Sequence, residues 1–94
     1  MEVIVKKSFP KAVKSTPKHI QEAVKEVIDK LVASKNLETS RLDYTNIEGQ
    51  RKGESYFRIR IGDWRIGAEF ISPKIILITI LTHGNIYKQV PSKK

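Results

Sequence analysis

Between Tyr56 and Phe70 the chain alternates apolar and polar side chains on both sides of a single Gly62-Asp63 dipeptide, a pattern that constrains the fold more than any other in the sequence. Glycine followed by aspartate between two alternating runs is the chemistry of a tight hairpin loop. A two-residue loop sets Ile61 opposite Trp64, Arg60 opposite Arg65, Ile59 opposite Ile66, Arg58 opposite Gly67 and Phe57 opposite Ala68. The ribbon then has two faces. One carries Phe57, Ile59, Ile61, Trp64, Ile66, Ala68 and Phe70, and the other carries Tyr56, Arg58, Arg60, Arg65, Gly67 and Glu69.

The apolar face needs a cover, and the N-terminal half supplies one. Ile20, Val24, Val27, Ile28 and Leu31 recur at the three-and-four spacing of one helical face, which predicts a helix from Pro17 to about Ser34. Thr16 before Pro17 reads as its start, with the hydroxyl capping free N–H groups and proline in the first helical position. Ahead of it, Val3-Ile4-Val5 reads as an opening strand, and Ser8-Phe9-Pro10 as a turn or short helix. Residues 35–53 show little periodicity and carry Asn36, Asp43, Asn46, Gly49 and Gly53, so they read as a long connection with room for one short strand near Arg41 to Tyr44. Beyond the hairpin, Ile75 to Leu81 is almost continuously apolar, as in a strand covered on both faces, and is expected at the centre of an antiparallel meander.

Ninety-four residues suffice for one core. The expected organisation is a single domain over residues 1–90 followed by a basic tail, residues 91–94. Eighteen Lys and Arg against ten Asp and Glu leave a net charge of +8, which favours an anionic partner. With no cysteine there is neither a disulfide framework nor a thiolate metal site, and a reducing cytoplasm suits such a chain. Two histidines, His19 and His83, without converging carboxylates give no zinc spacing, so no metal or other cofactor is expected. No apolar run approaches bilayer-spanning length, and no membrane association is expected.

All five arginines fall between positions 41 and 65, whereas twelve of the thirteen lysines, all but Lys52, are spread over the rest of the chain. Arg60 and Arg65 directly opposed repel each other by tenths of a kcal/mol to about one. A phosphate held between two planar guanidinium forks would offset that repulsion, and Gly67 leaves room for a ligand to approach. Arginines on a solvated sheet face also serve simply to block aggregation; the opposed pair favours a ligand. For His83, Tyr56, Trp64 and Tyr87, packing is the simpler reading of the residue type alone. The helix lysines interleave with Glu22, Glu26 and Asp29 and read as a solvated face.

The run Tyr56-Phe57-Arg58-Ile59-Arg60-Ile61-Gly62-Asp63-Trp64-Arg65-Ile66 resembles the strand-turn-strand signature of the RelE/ParE superfamily of bacterial toxins. The order of the flanking segments, down to a closing Ile86-Tyr87-Lys88, is similar over most of the chain. The resemblance implies an α+β fold, in which an N-terminal strand and a helical hairpin pack on a twisted, mainly antiparallel sheet. For RelE-like members it implies a metal-independent endoribonuclease that cuts messenger RNA on the ribosome, with a cognate antitoxin protein as partner. On that basis Arg65, Arg60, His83 and Tyr87 form the catalytic set, and Arg58, Arg60, Arg51, Lys52 and Lys88 hold the RNA. The sequence departs from the family pattern at Thr82-His83, where many members have histidine-arginine, so His83 stands in the place of an arginine. Two alternatives stay open at this point. One is a ParE-like inhibitor of DNA gyrase acting by protein contact, and the other is a non-catalytic module binding antitoxin or nucleic acid.

Overall fold

The β-branched run Val3-Ile4-Val5 has no partner nearby in sequence, so it must find one across the chain. In the computed structural model, which describes residues 1–46, 55–71 and 73–82, it does so as β1 (Glu2–Val5), pairing in parallel with the last strand, β5 (Lys74–Thr82). Between them run α1 (Ser8–Lys14), α2 (Lys18–Ala33), α3 (Leu37–Ser40), β2 (Tyr44–Asn46), β3 (Tyr56–Ile61) and β4 (Trp64–Ile71). The five strands lie in the order β1-β5-β4-β3-β2. All neighbours except β1 and β5 are antiparallel. This is the α+β architecture expected from the sequence. One correction concerns the apolar strand: β5 is interior, but β4 is the middle strand, because β1 adds beyond β5 on one side as β3 and β2 add on the other.

The core forms where α2 lies on the sheet. Ile20, Val24, Val27 and Leu31 are buried with Phe9, Leu37, Ile59, Ile66, Ala68, Ile75, Leu77 and Ile80, and Ile28, Phe57, Ile61, Trp64 and Phe70 pack against that cluster. The helical face read from spacing is therefore the face that packs. Its N-terminus differs from expectation. Pro17 is the cap residue, and Thr16 Oγ1 donates back to Val13 O at 2.6 Å, so the hydroxyl closes the end of α1 instead of capping α2. A residue before proline is pushed away from helical geometry. That leaves Thr16 one position too early to cap. Pro10 lies within the first turn of α1, where its missing N–H removes no helical bond.

The connection after α2 is more structured than its composition suggests. Asn36 caps α3: its Oδ1 accepts from Thr39 N at 2.9 Å, and its own N–H donates to Thr39 Oγ1 at 3.2 Å. This reciprocal pair is a capping box. Arg41 then takes a left-handed conformation, φ 61°, which ends the helix. Because that residue is spent on the turn, the strand expected near Arg41 to Tyr44 starts only at Tyr44.

Candidate nucleic-acid interface

The β3–β4 register is the one the two-residue loop dictates, with Ile61 facing Trp64, Arg60 facing Arg65, Ile59 facing Ile66, Arg58 facing Gly67, Phe57 facing Ala68 and Tyr56 facing Glu69. Gly62 has φ 57° while Asp63 keeps a negative φ, the pattern of signs that suits a strand-matched hairpin turn. Ile59, Ile66 and Ala68 are fully buried toward α2. Arg58, Arg60 and Arg65 therefore stand on the opposite face of the same ribbon.

The adjacent strands extend that face into rows. Thr45 of β2 lies opposite Arg58, and Thr79 of β5 lies opposite Gly67, giving the row Thr45, Arg58, Gly67, Thr79. Arg60, Arg65 and Leu81 form the next row. Gly67, expected from the sequence to leave room for a ligand, is itself buried, and Thr79 beside it is only 6% exposed, so the centre of this row is covered and the exposed cationic position of the face is Arg60, with Arg65 half-buried opposite it. A register shift between Gly67 and Ala68, whose partners are Thr79 and Leu77, leaves Ile78 as an extra residue on β5. Such bulges bend a strand and are over-represented beside active sites. The Ile78 carbonyl accepts from Ser8 Oγ at 2.6 Å, which ties the start of α1 to the bulge. Thr45, Thr79 and the bulge were missed from the sequence. The hydroxyls lacked a motif, although the place of Thr79 follows once the bulge is known.

The repulsion between Arg60 and Arg65 is met by the protein's own acceptors. Arg60 Nη1 lies 3.9 Å from Asp43 Oδ2, with the two side chains 60% and 66% exposed. The Arg60 backbone N–H donates to Asp43 O at 2.8 Å, so the aspartate is held in place by the sheet edge itself. Arg65 Nη1 donates to Gly62 O at 2.8 Å and to Trp64 O at 2.9 Å, which folds the guanidinium over the turn. A guanidinium has five N–H donors in a rigid fork, and these two bonds occupy one nitrogen. Among the described residues no acceptor takes the Nε and Nη2 edge of Arg65, which suits a bidentate anion.

The face can bind phosphodiester oxygens through its arginines and the exposed Thr45, and Glu69, half-buried opposite Tyr56, is its carboxylate. His83, Tyr87, Arg51, Lys52 and Lys88 lie outside the described residues. Among the described residues, no three His, Asp or Glu side chains gather as metal ligands, and no helix is long and apolar enough to cross a membrane. A cleft of about 540 Å³ opens on the other side of the hairpin, between His19 and Ala23 of α2 and Ile61, Asp63 and Trp64. Its walls carry none of the arginines.

No family model matches the chain. Toxin RelE3 of Methanocaldococcus jannaschii is 35% identical over 91 residues, which cover 97% of this chain and 100% of that protein. Among solved structures, the RelB-RelE antitoxin-toxin complex from Methanococcus jannaschii superposes with a TM-score of 0.75 at 33% identity, covering 89% of this chain and 94% of that one. The archaeal RelE-RelB complex from Pyrococcus horikoshii OT3 has the same fold, with a TM-score of 0.70 at 22% identity, 88% of this chain and 94% of that one being covered. Identity at this level, sustained from end to end and accompanied by the same topology, places the chain in the RelE family of toxins of toxin–antitoxin systems.

Proposed function

We propose that this toxin is a metal-independent endoribonuclease that cuts messenger RNA on the ribosome. The observation that carries the reading is the placement of Arg58, Arg60 and Arg65 on one sheet face, opposite the core. In the proposed reaction the 2′-oxygen of one nucleotide attacks the adjacent phosphorus and the bond to the 5′-oxygen of the next nucleotide breaks. The products are a 2′,3′-cyclic phosphate and a free 5′-hydroxyl. Charge builds on the phosphoryl oxygens, where Arg65, through its Nε and Nη2 edge, and Arg60 stabilise it, while Arg58 holds the flanking backbone. His83 donates a proton to the leaving 5′-oxygen, since an unperturbed imidazole titrates near neutrality, and Tyr87 orients a base. The 2′-hydroxyl proton passes to solvent water, with Glu69, opposite Tyr56 on the same face, the less favoured protein base for it. Arg51, Lys52 and Lys88 extend the phosphate contacts.

The solved relatives from M. jannaschii and P. horikoshii are complexes with RelB. By extension this toxin works in the cytoplasm and is held inactive by a RelB-like antitoxin that covers the arginine face. The test is to add purified protein to translating ribosomes and map message ends by primer extension, with Arg65→Ala beside it. Loss of a single preorganised donor to a developing oxyanion costs about 10²–10³ in rate, so the discrete cuts of the parent protein should vanish in the variant. Intact messages with both proteins, together with inhibited supercoiling by gyrase, would replace this reading with the ParE-like one.

A further inference from the structure

The arginine face is not the most one-sided cationic surface of the molecule. Between Glu2 and Glu22 the chain contains no acidic residue and five lysines, Lys6, Lys7, Lys11, Lys14 and Lys18. All five are exposed, and among the described residues none is in an ion pair. Elsewhere on the helices the lysines are balanced: Lys25 and Lys30 alternate with Glu22, Glu26 and Asp29 on α2. The bare stretch is therefore local to α1 and its two ends.

Helical geometry turns this stretch into a stripe. Lys7 is the N-cap residue of α1, and Lys11 and Lys14 follow at four and three residues, so the three project from one side while Phe9 is buried on the other. At about 1.5 Å per residue the stripe from Lys7 to Lys14 is about 10 Å long. That is about three phosphate-to-phosphate steps along one strand of a duplex, at about 3.4 Å of axis each. Lysine on an edge strand also guards against aggregation. That role accounts for Lys6 at the end of β1 but not for Lys11 and Lys14 on a helix beyond the strand. The choice of cation differs as well. Arginine forks suit shaped, bidentate contact, and lysine supplies point charges on flexible stems, which suits a polyanion followed along its backbone without reading its bases.

We infer that Lys7, Lys11 and Lys14, with Lys18 at the start of α2, form a second RNA-binding surface, which grips the phosphate backbone of a structured, base-paired RNA. It rests on the RNA reading of the arginine face for its choice of polyanion. α1 covers the core side of the sheet through Phe9, so the two surfaces look away from each other and share no side chain. Contributions from sites so separated add. The lysine stripe anchors the protein to folded RNA while the arginine face takes a single strand.

The test is fluorescence anisotropy of a labelled RNA hairpin between 50 and 200 mM KCl, comparing the parent protein, the triple variant Lys7→Gln, Lys11→Gln, Lys14→Gln, and Arg65→Ala, with far-UV circular dichroism to confirm that each is folded. Each lysine–phosphate contact contributes about 0.7–0.9 to the slope of log K against log salt, so the triple variant should lower the slope by about 2–3. Arg65→Ala should lower it by less than one. A triple variant that keeps the parent slope to within half a unit overturns the inference. If that variant keeps its affinity for the hairpin but loses affinity for polyglutamate, the stripe is an acidic-protein surface, which equally overturns the inference. If the parent protein binds the hairpin but cuts no message, the cleavage reading fails and the lysine surface stands or falls on the slope alone.

Discussion

Asp43→Asn should raise the affinity for single-stranded RNA, although it removes an ion pair. Asp43 Oδ2 lies 3.9 Å from Arg60 Nη1, and both side chains are mostly exposed at 66% and 60%. At that separation two unit charges in water attract by about 1 kcal/mol. For an exposed pair the net stabilisation falls between about 0 and 1 kcal/mol. The same carboxylate repels a phosphate brought to Arg60, at a distance well inside the roughly 10 Å screening length of 0.1 M salt. Neutralising it both releases Arg60 and removes the repulsion, each by no more than about 1 kcal/mol and together no more than about 2, so the Kd should tighten by up to about thirtyfold. Asn keeps the shape, and the backbone bond from Arg60 N–H to the residue 43 carbonyl survives. The assay is anisotropy of a short labelled RNA strand at 100 mM KCl, with Glu22→Gln on the far side of α2 as the control for net charge. A Kd that weakens, or that shifts no more than in the Glu22 control, would refute the idea that Asp43 and RNA compete for Arg60.

Two further outcomes test the fold. Leu31→Ala, at a position with no exposed surface under the sheet, should cost about 2–5 kcal/mol, read as a lower urea midpoint at unchanged slope. Gly62→Val should cost about 1–2 kcal/mol: an added Cβ meets no atom within 4 Å, so the penalty comes from φ 57° alone, and equal thermal stability of the two proteins would contradict it.

Legibility followed how local the determining physics is. The β3–β4 register was readable residue by residue, because a two-residue loop and a period of two leave only one pairing that buries Ile59 and Ile66. The packing face of α2 was readable for the same reason. The four residues of α3 are too short to show a period, and the signal that could have found them is the Asn36 and Thr39 capping pair. The bulge at Gly67 is a property of two strands together and leaves no mark on either alone. In the site, alternation put three arginines on one face, but where a guanidinium points is decided by acceptors the sequence does not place. Asp43 lies beside Arg60 while the turn carbonyls of Gly62 and Trp64 accept from Arg65, so the opposed pair has separate partners that alternation alone does not predict.

That separation bears on how the Arg65→Ala experiment is to be interpreted. The opposed arginines cost tenths of a kcal/mol to about one, and alanine at position 65 relieves that cost. It also gives up two bonds from Arg65 Nη1 to carbonyls at the exposed turn, each contributing about 0.5–1.5 kcal/mol net at most, since water replaces the donor there. The two bonds total at most about 1–3 kcal/mol and the relief at most about 1, so the net loss of stability is about 2 kcal/mol or less when both stand near their limits. For a domain of this length about 1 kcal/mol corresponds to a shift of about 4–8 °C in thermal midpoint, and the variant should stay within about twice that of the parent. If it does, lost cleavage belongs to the chemistry at the phosphate. If instead the midpoint falls by much more, the turn contacts of Arg65 are structural, and the cleavage role must be tested with Arg65→Lys, which keeps the charge and removes the fork.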